Sequence, residues 1–114
     1  MRKQNIENAA FEVATQIRTV EDCIEDALAE VAELQSRMIR ARATVGVPTA
    51  TGHAAFEQLS AAIQGLVAAR GGMANCHVTL VETKQFIPGL RAVSFGDTDD
   101  CPPKVAQVDL RVVA

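Results

Sequence analysis

From Ile6 to Val45 the apolar residues recur at alternating steps of four and three without a miss, and nothing else in the chain constrains its fold as strongly. Ala10, Ile17, Ile24, Val31, Met38 and Val45 fill one heptad position, and Ile6, Val13, Val20, Ala27, Leu34 and Ala41 fill a second. A 3.5-residue period keeps one stripe of an α-helix turned toward a partner helix, as in a coiled coil. The outer positions agree: Glu12, Asp22, Asp26, Glu33, Ser36 and Arg40 are polar, and no proline or glycine interrupts the run. The pattern predicts a continuous helix over residues 5–45, about 60 Å long.

Gly46 and Pro48 end it. Glycine takes the left-handed conformation that closes a helix, and proline disfavours helix at the residue before it. A turn over residues 46–51 comes next, in which Thr49 or Thr51 is placed to cap a second helix, predicted over residues 52–87. Its bulky face holds Phe56, Leu59, Ile63, Leu66, Met73, Leu80 and Ile87, and Pro88-Gly89 stops it. Folding about the turn lays the helices side by side with facing residue numbers summing to about 97. Leu66 then meets Val31, and Leu59 meets Met38. The expected intrachain seam is Ile17, Ile24, Val31, Leu34 and Met38 against Leu59, Ile63, Leu66, Met73 and Leu80.

Gly71-Gly72 admits two readings, because each glycine weakens a helix interior by about 1 kcal/mol relative to alanine. In one, the pair lies opposite Ala27 and lets the helices approach without breaking. In the other, the chain bends there and residues 73–87 fold back as a third helix. The matched lengths of the two segments favour the first.

After Pro88-Gly89 the pattern turns to period two. Val108, Leu110 and Val112 alternate with polar residues, Leu90–Phe95 has an extended-looking composition, and the Asp-rich stretch from Gly96 to Pro103 lies between. The expectation is an extended tail over residues 89–114 forming a two-stranded ribbon. Such a ribbon is marginal alone and needs the helices or another chain beneath it. The predicted architecture is therefore mainly α: a long antiparallel, coiled-coil-like hairpin over residues 1–88, followed by a short extended or β tail. Val108, Leu110 and Val112 are the candidates for partner binding, since a strand can pair with the edge of a partner's sheet.

Charge then narrows the function. A formal charge of -3 and a pI near 5.3 argue against a dedicated nucleic-acid binder, which needs a basic face. Arg37, Arg40 and Arg42 suit the negative end of a helix macrodipole better than phosphate. No apolar run reaches the length of a membrane span and the start lacks an apolar leader segment, so a soluble, cytoplasmic protein is expected. Three widely spaced cysteines, Cys23, Cys76 and Cys101, suit a reducing compartment.

Charge is also distributed unevenly. The first helix carries the acidic group Glu21, Asp22, Glu25, Asp26, Glu30 and Glu33, whereas between Ala54 and Ile87 the only Asp, Glu, Lys or Arg residues are Glu57, Arg70, Glu82 and Lys84. The second helix also has a flank of small residues, with Ala61, Gly65, Ala68, Gly72 and Cys76 as the candidate oligomer interface. Burial on two sides explains both features, most simply in a homodimer of hairpins that completes an antiparallel four-helix bundle. The alternative is that the tail covers this surface within one chain.

Little points to chemistry. His53, Cys23, Cys76, His77 and Cys101 show neither Cys-x-x-Cys nor His-x-x-x-His spacing, and Cys76 and His77 diverge by about 100° on a helix. The two helical cysteines read as small apolar core residues. A reversible Cys23–Cys76 disulfide is the alternative, because the two fall at similar height on paired helices. Asp97, Asp99 and Asp100 lack the spacing of an EF-hand loop, and Arg70-Gly71-Gly72 lacks the ending of a phosphate loop. Arg70 and His77 sit near the bulky face, where pairing with Glu21 or Glu25 is expected; a small polar pocket is the other reading. No catalytic residue, metal or cofactor is assigned. The expected role is a non-enzymatic structural or adaptor protein that self-associates and contacts a larger assembly, such as a virus particle or another multi-subunit machine. A ligand-binding or regulatory helical bundle is the second reading.

Overall fold

The computed structural model describes residues 2–90 and builds them from two long helices, α1 (Arg2–Val45) and α2 (His53–Thr83), followed by one 3₁₀ turn (Lys84–Phe86). Among the described residues there is no strand. The expected ribbon, including Val108, Leu110 and Val112, lies outside the described residues, as does Cys101.

The ends of the helices follow local chemistry. At the end of α1, Gly46 adopts φ +77° and its N–H donates to the Arg42 carbonyl at 3.0 Å. This single bond across the last turn is the left-handed closing motif of a helix. The Arg42 guanidinium reaches past the cap and donates to the Val47 carbonyl at 3.0 Å. Pro48 keeps the chain from re-entering helix, and its carbonyl accepts the Thr51 N–H. α2 then starts one residue later than the sequence suggests. The residue before it is Gly52, at φ +78°, rather than Thr49 or Thr51. At its far end α2 tightens into the 3₁₀ turn four residues before the predicted stop. Ile87 is extended at φ -109° and ψ 113°, the conformation a following proline imposes.

Gly71 and Gly72 do not break the helix: α2 runs through both. Propensity costs of about 1 kcal/mol per glycine are small beside the cooperativity of a helix more than eight turns long, so no third helix forms.

The described residues divide into two compact units. One is Glu21–Met73, the second half of α1, the turn and most of α2. These two helical segments run antiparallel and are bridged by the ion pair of Arg70 with Glu25, whose numbers lie within two of the predicted register. The other unit brings residues 2–20 together with 74–90. All five buried described residues belong to it: Ala10, Ala14 and Ile17 of α1, with Lys84 and Leu90 from beyond α2.

Candidate interaction surfaces

In the Glu21–Met73 unit every residue is half-buried or exposed. On α2 the half-buried positions are Phe56, Leu59, Ile63, Leu66 and Met73, the bulky face predicted from the sequence. Their three-four spacing continues through Arg70, so the guanidinium occupies a seam position. Its side chain leaves the helix edge and donates from Nε to a Glu25 carboxylate oxygen of α1. That hydrogen bond, and then the charge of Glu25, hold Arg70 further above its already high ordinary pKa. Pairing of Arg70 with a carboxylate of the first helix is the outcome expected from its place beside the bulky face.

On α1 the half-buried positions are spread over more than the two heptad rows. Ile24, Val31 and Met38 of the first heptad row are half-buried, as are Ala27 of the second row and Glu21, Leu28 and Arg42, one residue beyond it. Leu34, expected in the seam, is 48% exposed, and Ala41 is exposed. Replacing a three-residue step by a four-residue step turns the buried stripe by about 50°, half of one residue's rotation. On this side Glu25 pairs with Arg70 and Arg42 is half-buried, while Leu34 and Ala41 of the second apolar row stay exposed.

The five small residues assigned to an oligomer interface, Ala61, Gly65, Ala68, Gly72 and Cys76, are all exposed. They do not form one row. On the heptad cycle of α2, Ala61 and Ala68 stand opposite the seam, Gly65 and Gly72 lie closer to it, and Cys76 is nearest, in the row of Ala62 and Ala69. A Cβ added at Gly65, Gly71 or Gly72 would meet nothing within 4 Å. Among the described residues nothing occupies the space at these glycines.

The two cysteines expected in a core are instead free and exposed. Neither Cys23 nor Cys76 falls among the half-buried positions of its helix. His53 sits in the first turn of α2, with Nε2 3.3 Å from Glu57. In the last third of α1, Glu33 accepts from Arg37 at 3.0 Å and from Arg40 at 3.4 Å, so both arginines are engaged on a solvated face. Among the described residues no group of three His, Cys, Asp or Glu side chains is arranged to hold a metal. No helix among them is long and apolar enough to cross a membrane.

In the unit of residues 2–20 with 74–90, His77 and Leu80 are half-buried and Lys84 is buried, at 7% exposure. Sequence reasoning missed Lys84. The signal was present, because Phe56, Ile63, Arg70, His77 and Lys84 follow one another at intervals of seven. A lysine stem of four methylenes can fill such a position while its amine reaches a polar partner. The same unit leaves Phe11 and Phe86 at 61% and 83% exposure.

No family model, curated protein or solved structure matches this chain.

Proposed function

We propose that this chain is a non-enzymatic structural or adaptor protein whose helices associate with a second copy of themselves, and that the resulting bundle contacts a larger protein assembly. One observation carries this reading: α2 has no buried residue, yet between Gln58 and Val81 its only Asp, Glu, Lys or Arg is Arg70, which Glu25 engages. A helix that stays in water keeps a wide charged side, and one that lacks charge on nearly all sides is covered on more than one. The side chains left uncovered include Leu34, Ile39 and Val67 in the Glu21–Met73 unit. Burial of apolar area at about 25 cal/mol per Å² favours covering them with protein.

Contact with a larger assembly is the part of the reading that concerns the tail and the exposed phenylalanines, which suit hydrophobic anchoring in a partner. Light scattering tests the self-association on which the rest depends: a mass above that of one chain at micromolar concentration supports it, and a single-chain mass removes it.

A further inference from the structure

The half-buried positions of α2 are Phe56, Leu59, Ile63 and Leu66 before Arg70, and Met73, His77 and Leu80 after it, with Val81 adjoining. From Phe56 to Leu80 they follow at steps of three or four, except between Leu66 and Met73, where the step is seven. Every residue over 67–72 is exposed, and no other run of exposed residues inside α2 is as long. The seam position within this run belongs to Arg70, whose guanidinium engages Glu25 of α1 in an ion pair that is exposed on both sides. Packing therefore supports this part of α2 less than any other.

The same stretch holds Gly71 and Gly72, the only adjacent glycines in the chain. Glycine is the weakest helix former after proline, because fixing its backbone costs the most entropy. A Cβ added at either would meet nothing within 4 Å, so the pair does not serve to admit a described neighbour. A gap in packing and a minimum of helix propensity thus coincide, and the ion pair beside them is of the exposed kind that salt screens.

We propose that α2 carries a built-in point of opening at Gly71 and Gly72, held closed by the Arg70–Glu25 pair and released by rising ionic strength. The helix is continuous when closed. A minor open population breaks the hydrogen bonds of this turn while the half-buried row of Phe56, Leu59, Ile63 and Leu66 keeps its place. Local opening that costs less than global unfolding is a property of segments with few buried contacts, which is the condition met over 67–72. Each helical hydrogen bond spans the three residues between donor and acceptor. Opening at the two glycines therefore frees the N–H groups of residues 72–75.

Amide hydrogen exchange of the full chain, read residue by residue by NMR and corrected for intrinsic rates, tests the proposal. At low ionic strength the amides of residues 72–75 should exchange faster than those of residues 63–66. Sub-denaturing urea should not raise their rates, because a local opening exposes little surface. Gly71→Ala and Gly72→Ala together should slow them about 30-fold, the propensity difference between two glycines and two alanines. Glu25→Gln should speed them at low ionic strength and leave them unchanged in molar salt. Amides of residues 72–75 that are no faster than those of 63–66, that accelerate with urea in step with them, or that the double alanine variant leaves unmoved would overturn the opening point. Rates unmoved by Glu25→Gln at low ionic strength would overturn the closing role of the ion pair.

Discussion

At the scale of single residues, three positions show how local chemistry set details that the repeat alone did not. Gly46 was legible because only glycine takes a positive φ at little cost just before a proline-led turn. Arg70 was legible as a polar residue in an apolar row that needed a carboxylate. Its choice of Glu25 depends on how far α1 rolls, which a heptad does not record. Lys84 was missed because a lysine at a helix end is ordinarily read as exposed, and the burial of its stem follows from packing. The Arg70–Glu25 pair is solvent-exposed on both sides, so its contribution is screened by salt. Glu25→Gln is expected to lower the thermal midpoint at low ionic strength and to leave it unchanged in molar salt. An effect independent of salt, in parallel melts, would show that Glu25 acts through packing instead.

At the scale of elements, both helices were readable because their periodicity is sustained over many turns, and the errors fell at their ends and in their roll. α1 starts at Arg2 and α2 gives way after Thr83, where proline geometry takes over from helical hydrogen bonding. The heptad identified the stripe but left open which pair of adjacent rows the partner helix would take. Glu25 and Arg42 lie on the side away from Leu34, Glu25 engaging Arg70 and Arg42 the Val47 carbonyl. Gly71 lies seven residues on from Gln64 and fourteen from Glu57, inside a continuous helix and with no described residue near its Cα hydrogens, so Gly71→Ala should stabilise the fold by about 1 kcal/mol through helix propensity. Urea unfolding followed by circular dichroism checks the sign, and a loss of stability would mean that another backbone approaches Gly71 closely. Ile17 is one of only two buried side chains larger than alanine among the apolar described residues. Ile17→Ala is expected to cost about 2–4 kcal/mol; the same urea titration showing less than about 1 kcal/mol would place the stabilising core elsewhere.

At the scale of the whole molecule, the central fact is a mismatch between composition and burial. Nearly half of the residues, 48%, are hydrophobic, yet the apolar residues buried among those described are Ala10, Ala14, Ile17 and Leu90. The sequence announced this mismatch through the scarcity of charge on the second helix, and the structure leaves Leu34, Ile39 and Val67 exposed. What covers them was not legible, because two helices can bury only the stripe they share, and the identity of a third element is not written into either. A second copy of the chain is the cover proposed. Sedimentation equilibrium of the full chain across a hundredfold concentration range tests this most directly. The expected result is a species of twice the chain mass that dissociates only on dilution, whereas a single-chain mass at every concentration would contradict it.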